Sequence, residues 1–183
     1  MEQDNPWNGL CNKCKTITCC INFLTPTVTE KELVMIQKKS GFSDIAKTQL
    51  INGKEMSVLK RKPDSLECMF LGSDKRCTIN EYKPFDCIIF PFDIFKIDGK
   101  FMWVVYSCNP NLDWKWSETI LKSFEEDLLT PDIIKNLDAF ASFERYEDAG
   151  EMYEHTVLRP VNLNAYNAKS TKKYKCYNEG WEA

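Results

Sequence analysis

The chain has 183 residues, a formal net charge of −3 and a hydrophobic fraction of 43%, which predicts roughly one domain with an ordinary apolar core. The near balance of charges gives no global attraction to nucleic acid. No segment approaches the ~20 consecutive apolar residues that a membrane helix needs. The N-terminus is acidic and polar, so we expect no signal peptide and a cytoplasmic location.

The first predicted helix is defined by its two ends. Thr29 and Glu32 have the spacing of a capping box, and Gly41 suits the position just after the last helical turn. Residues 43–51 are predicted to form a second short helix, which ends at the Asn52-Gly53 turn.

The middle of the chain is predicted to be mainly extended. Alternating and β-branched residues predict strands at 56–60, 67–71 and 92–97. The pair Asp98-Gly99 favours a type I′ turn, so the last of these strands should pair with 101–106 in a hairpin.

The C-terminal third is predicted to be helical. Ser117 can cap one helix and Thr130-Pro131 can begin another. Each helix carries an apolar stripe that we interpret as core: Ile120, Leu121, Phe124 and Leu128 in the first, and Ile133, Leu137, Phe140 and Phe143 in the second. The expected fold is therefore a single small α+β domain, with a cysteine-rich metal-binding core at 7–116, a helical part at 117–159 and a polar tail at 160–183.

Cysteine is the residue type that points to chemistry. Eight of the nine cysteines precede residue 109, and only Cys176 lies outside this group. Cytoplasmic thiols stay reduced, and the odd count does not suit a closed disulfide framework. Clustered thiolates select Zn²⁺, Cu(I) or iron–sulfur clusters. The predicted metal ligands are Cys11, Cys14, Cys19, Cys20, Cys68, Cys77, Cys87 and Cys108.

The spacing of the first four cysteines leaves several arrangements open. Cys11 and Cys14 can converge on one ion from a tight turn, as in zinc knuckles and many iron–sulfur sites. Cys19 and Cys20 are adjacent, and successive side chains in extended backbone point to opposite faces. They can serve two neighbouring four-thiolate sites or one multinuclear cluster, or one of them can be a buried apolar cysteine.

The later cysteines are placed by turn-forming residues. Gly72 and Ser73 can turn the chain so that Cys68 approaches Cys77, while Pro84 fixes the approach of Cys87. Five cations lie within a few residues of the predicted ligands and could balance their charge, or could simply be solvated: Lys13, Lys15, Lys75, Arg76 and Lys83.

These motifs resemble the YkgJ-type cysteine-cluster family, which is described as a candidate zinc- or iron-chelating domain. Its pattern begins with C-x-x-C-x(3–4)-C-C and continues with C-x-I-Y-E-x-R-P-x-x-C-R-x-F-P and a further Cys-Pro-type element. Residues that match the second block are Cys77, Ile79, Glu81, Pro84, Cys87, Phe90 and Pro91, and Cys108 fits the last element. The resemblance covers roughly residues 11–110.

The match has three departures. Asn80 replaces the usual Tyr, and Lys83 and Ile88 replace two arginines. Because Lys cannot reproduce the bidentate fork of Arg, a function that needs those arginines to hold an anion is doubtful here, whereas metal binding is not affected. A related cysteine block occurs in flagellin lysine methylases that carry an iron–sulfur cluster, and this likeness favours iron.

Three functions are consistent with these observations. The first is an iron–sulfur protein, with a 4Fe–4S cluster, that acts with a redox or protein partner in electron transfer or a modification reaction. The second is a structural zinc module that shapes an interaction surface, and the third is metal storage or delivery. The single histidine, His155, is remote from the cysteines in sequence, which disfavours mixed Cys/His zinc sites.

Overall fold

The computed structural model describes residues 20–21, 25–106, 118–142 and 154–168. Over these residues the chain forms two three-stranded antiparallel sheets and five α-helices, with most helices C-terminal to the strands of the first sheet. This is the small α+β fold that the sequence predicts. In the part of the chain that is described, no helix is long and apolar enough to cross a bilayer.

The first sheet has the order β1-β3-β2, with β1 at Thr27–Val28, β2 at Ala46–Ile51 and β3 at Lys54–Leu59. Asn52 and Gly53 join β2 to β3 with φ values of 50° and 71°, as a type I′ turn requires. The predicted helix at 43–51 is therefore wrong. β2 pairs along its whole length with β3, and this pairing outweighs the weak helical preference of its residues.

Helix α1, Glu30–Ser40, lies between β1 and β2 and has the predicted ends. Thr29 and Glu32 form a complete capping box, and Gly41 ends the helix with a φ of 77°. Glu32 also accepts the backbone N–H of Phe85 at 2.7 Å. Burial is the main reason that the pKa of Glu32 is raised. This one carboxylate thus joins the start of α1 to the start of α2, Phe85–Ile89.

The second sheet has the order β4-β5-β6, with β4 at Phe92–Ile97, β5 at Lys100–Tyr106 and β6 at His155–Pro160. The Asp98-Gly99 hairpin is confirmed, with φ values of 49° and 74°. β6 pairs with β5, within a stretch that was expected to be helical. Its partner lies about fifty residues earlier, so no local pattern announces this pairing.

Three helices follow the second hairpin: α3 at Glu118–Asp127, α4 at Pro131–Lys135 and α5 at Leu137–Phe140. The N-cap at Thr130 is confirmed by its side chain, which accepts the N–H of Ile133. The single helix predicted after Pro131 is two short helices that meet at Asn136. Ser117 and Phe143, which the sequence assigns to a cap and a stripe, are outside the described residues.

Buried residues form two main apolar clusters. The larger one, which we call the sheet core, packs β3, β4 and β5 against α2 and the C-terminal helices around residues such as Trp103, Leu121 and Phe140. The smaller one, the cysteine core, contains Ile36, Leu59, Phe70 and Cys68, with Cys20 and Cys77 packed at its edge. Cys20, Cys68 and Cys77 therefore belong to the smaller of these two clusters.

Candidate metal centre

The cysteine-bearing segment 60–79 is held by isolated contacts rather than by regular strands. Three antiparallel bridges stabilise it, between Ile21 and Glu67, Arg61 and Cys68, and Leu71 and Cys77. The strand predicted at 67–71 is therefore reduced to single bridged residues. A segment with so few ladder hydrogen bonds depends on side-chain contacts, or on a ligand, to stay ordered.

A tight turn brings Cys77 back towards Cys68. The N–H of Gly72 donates to the carbonyl of Arg76 at 2.8 Å, and the N–H of Thr78 donates to that of Phe70 at 2.9 Å. A Cβ at position 72 would come within 2.6 Å of Asp74 Oδ1 and 3.3 Å of the Arg76 carbonyl oxygen, so any larger residue would require the Asp74 side chain to move. The turn lies where Gly72 and Ser73 predict it.

Cys20 is joined directly to the same segment. The N–H of Cys68 donates to the carbonyl of Cys20 at 2.7 Å. This hydrogen bond connects the end of the N-terminal cysteine block to a residue far away in sequence. Cys20, Cys77 and Cys87 are half-buried and Cys68 is buried.

Cys87 is carried by helix α2, whose start is fixed from two sides. Pro84 is its N-cap, and the carboxylate of Asp86 accepts the backbone N–H of Thr27 at 2.9 Å. With the bond from Phe85 to Glu32 described above, α2 is attached to both β1 and α1. Cys87 is thereby held on an element that packs beside the cysteine core.

The four described cysteines form one electrostatic neighbourhood. Burial is the largest cause that raises the pKa of three of these thiols, and the neighbouring cysteines add to it. The pKa of Cys68 is raised, that of Cys77 is raised to about 11, and that of Cys87 is raised well above its ordinary value. Cys20 contributes to the shift at each of the other three. Thiols in such a site do not all ionise by themselves, whereas a bound cation displaces their protons.

Of the cations that influence these thiols, Lys83 is one that sequence distance predicts, whereas Arg61 is not. Lys83, only 8% exposed, favours the thiolate forms of Cys77 and Cys87. Arg61, which sequence spacing gave no reason to select, interacts with Cys68, Cys20 and Cys87. Lys75 instead forms an ion pair with Glu67 at 3.0 Å, and the hydrogen bonds from Lys62 and Lys75 hold the pKa of that carboxyl below its usual value.

Several residues that the sequence analysis discusses are outside the described residues. They are the cysteines Cys11, Cys14, Cys19, Cys108 and Cys176 and the lysines Lys13 and Lys15. Among residues 20–21, 25–106, 118–142 and 154–168, no group of three or more His, Cys, Asp and Glu side chains is arranged to hold an ion. The described cysteines are therefore neighbours, and they do not constitute a closed coordination shell by themselves.

The donor chemistry of this neighbourhood fits a soft metal. Its described members contribute sulfur, with cationic side chains nearby and an apolar cluster on one side. His155 is exposed on β6, with its ring centroid 4.9 Å from that of Phe95 in the second sheet.

Comparison with known proteins gives one match. A family model described as "CxxCxxCC: Putative zinc- or iron-chelating domain" matches residues 10–109. This range contains the eight cysteines proposed as ligands and ends close to where the sequence resemblance ends. Searches of curated proteins and of solved structures found no significant match.

Proposed function

We propose that this chain, which belongs to the CxxCxxCC family of zinc- or iron-chelating domains, holds an iron–sulfur cluster of the 4Fe–4S type on its cysteine thiolates. The cluster would serve electron transfer, or a redox-linked modification reaction, with a partner protein in a reducing compartment. The observation that carries the proposal is the 2.7 Å backbone hydrogen bond that joins Cys20 to Cys68, together with the tight turn that returns Cys77 to the same cluster.

The proposed ligands come from two blocks. Cys20, Cys68, Cys77 and Cys87 are the described members, and Cys11, Cys14, Cys19 and Cys108 complete the set in the sequence. Eight thiolates suffice for two four-thiolate sites, or for one cluster with some cysteines left as core. When bound, the cluster would supply one-electron redox chemistry, at a potential that depends on burial and hydrogen bonding around its sulfurs.

The protein's own residues perform three tasks in this proposal. The cysteine core around Ile36, Phe70 and Leu71 excludes water from one side of the thiols, which lowers the local dielectric and influences the potential. The Cys68 N–H to Cys20 carbonyl bond fixes the relative position of the two blocks. Arg61 and Lys83 offset the negative charge that accumulates when several thiols ionise.

A structural zinc module is the second candidate, and one observation favours it. Cys20, Cys68 and Cys77 are part of a small apolar core, and closed, buried tetrathiolate sites are typical of zinc that stabilises a fold. In this case the metal would shape the surface formed by segment 60–79 without redox chemistry.

The full chain, purified without oxygen and analysed for iron, acid-labile sulfide and zinc, separates these functions. We expect iron and sulfide in equal, whole-number amounts per chain, together with broad visible absorption. Colourless protein with whole-number zinc would replace the first proposal with the second. Loosely held metal that is lost on gel filtration would indicate storage or delivery instead.

A further inference from the structure

We propose that Arg61 is a positioning residue of the metal centre, whose guanidinium fixes the N-terminal cysteine block against Cys68 and offsets the charge of the metal-bound thiolates. This inference rests on the proposed function and adds to it a residue outside the cysteine motif. Arg61 does not contact a metal in this proposal. It acts through the cysteines that do.

The backbone of Arg61 is held opposite Cys68. The two residues form an antiparallel bridge, and the bonds on either side of it, Lys62 N to Glu67 O at 2.8 Å and Met69 N to Lys60 O at 3.3 Å, extend the pairing. Directly opposed residues in an antiparallel pair have side chains on the same face. Arg61 and Cys68 therefore face the same side of this segment.

The side chain of Arg61 reaches the other cysteine block. Its Nη1 donates to the carbonyl oxygen of Cys20 at 3.4 Å, and the same oxygen accepts the N–H of Cys68 at 2.7 Å. One carbonyl therefore receives two donors from residues that face each other across the bridge. This arrangement places Cys20 relative to Cys68 without using either sulfur, which leaves both sulfurs available as ligands.

Charge explains why an arginine suits this position. A guanidinium remains ionised in proteins and is more weakly hydrated than an ammonium group, so it tolerates partial burial when an anion is near. Arg61 is half-buried, lies opposite Cys68 and donates to the Cys20 carbonyl. A thiolate–metal centre carries more negative charge than its metal neutralises, so a fixed cation beside Cys20 and Cys68 would stabilise it.

The two cations that directly precede Cys77 in sequence are more exposed than Arg61. Arg76 directly precedes Cys77 but is exposed, and Lys75 is exposed and paired with Glu67. Arg76 thus provides a matched control, because it has the same side chain and is adjacent to a proposed ligand in sequence.

The test compares metal retention by Arg61→Met, Arg61→Lys and Arg76→Met with that of the unaltered full chain. Each protein is loaded without oxygen, with ferrous iron and sulfide in one series and with Zn²⁺ in another, and is then challenged with increasing chelator. Residues that support metal ligands from outside the coordination shell typically change affinity 10- to 100-fold. We expect Arg61→Met to release its metal at about 10- to 100-fold lower chelator concentration, Arg61→Lys to lie between, and Arg76→Met to match the parent. In the iron series, Arg61→Met should also have a more negative reduction potential.

The outcomes separate the two proposals. A parent protein that retains zinc but no iron cluster would refute the iron–sulfur function and still test Arg61 in the zinc series. Equal retention by the parent and Arg61→Met would overturn the role of Arg61 alone, and metal-free parent protein would overturn both. If circular dichroism shows that Arg61→Met does not fold, the comparison uses Arg61→Lys instead. Metal retention by Arg61→Lys equal to that of the parent would contradict a need for the guanidinium.

Discussion

The sheet of β4, β5 and β6 and the cysteine-bearing segment 60–79 are stabilised in different ways. The sheet has long hydrogen-bonded registers, interrupted by one register shift between Trp103 and Val104, and packs on the larger apolar cluster. The cysteine segment has isolated bridges, tight turns and a smaller cluster that includes thiols. The sheet can therefore be stable through ordinary burial, whereas we expect the cysteine segment to gain full stabilisation only when a metal replaces the protons of its thiols.

The polar and charged groups of the two regions show the same contrast. On the sheet side, buried Glu125 accepts from Trp103 Nε1 at 2.9 Å, from Arg159 Nη1 at 2.6 Å and from the Asn162 N–H at 2.8 Å. Each partner of this charge is present in the described chain. On the cysteine side, the thiols have raised pKa values and are surrounded by cations. The charge of Glu125 therefore has its hydrogen-bond partners within the protein, whereas the protonated thiols could bind a metal ion in place of their protons.

Substitution of a proposed ligand should give the largest effect. We expect Cys20→Ser and Cys87→Ser each to lose most of the bound metal, because a serine hydroxyl is a poor replacement for a soft thiolate. Metal per chain, measured by elemental analysis, provides the comparison. Cys176→Ser is the control and should retain parental content, since Cys176 lies outside the motif. Equal losses in all three variants would contradict the ligand assignment.

Metal removal should affect one region far more than the other. Ligation of structural zinc in small domains contributes about 10–16 kcal/mol of apparent binding free energy, so chelation should unfold segment 60–79 and the elements around the cysteine core. Amide hydrogen exchange should show faster exchange at Cys68, Gly72 and Thr78, while β4 and β5 keep their protection. Unchanged protection in segment 60–79 after complete metal removal would show that the metal is not structural.

A pair of core substitutions sharpens the comparison. Leu121, in the sheet core, and Ile36, in the cysteine core, are both 0% exposed, and truncation of either to alanine should cost about 2–5 kcal/mol. Only Ile36→Ala should also weaken metal retention, because Ile36 packs in the cluster that contains Cys68. Denaturant unfolding and chelator competition measure the two effects. Equal weakening by Leu121→Ala would mean that the two regions are not separable.

The pH dependence of the sheet region should be the smallest effect. Burial opposes ionisation of Glu125, but its hydrogen bonds to Arg159, Asn162 and Trp103 outweigh this and lower its pKa below 4.5. A lowered carboxyl pKa contributes stability that is present above the ordinary value and is lost as the pH falls through the folded value. Unfolding of metal-free protein should therefore become easier below about pH 4.5. Glu125→Gln should be less stable at neutral pH and show a flatter acid dependence, which thermal unfolding at several pH values can measure.

Local signals predicted a large part of this fold, because each acts over a few residues. The Thr29–Glu32 capping box, the Asp98-Gly99 turn and the Thr130-Pro131 helix start all depend on hydrogen bonds or dihedral angles within one turn of chain. The strand β2 was missed although Asn52-Gly53 is the same kind of hairpin signal as Asp98-Gly99. Strand β6 depends on pairing with a remote segment, for which its own residues give no signal.

For the candidate site, the sequence supplies the proposed sulfur donors and one of the cations near them, Lys83. The spacing of the motif gives no reason to select Arg61. Lys75 and Arg76 are close to Cys77 in sequence, yet one pairs with Glu67 and the other is exposed. Arg61 is close to the cysteines because of an antiparallel bridge to Cys68, which is a property of the folded chain and not of the motif.

X-ray absorption spectroscopy at the edge of the bound metal tests the central claim most directly, since it reports the atoms that contact the metal. The account predicts a nearest shell made only of sulfur, at about 2.3 Å if the metal is zinc, and iron–iron scattering if a cluster is present. A nearest shell of oxygen or nitrogen in the stoichiometrically loaded chain would contradict it.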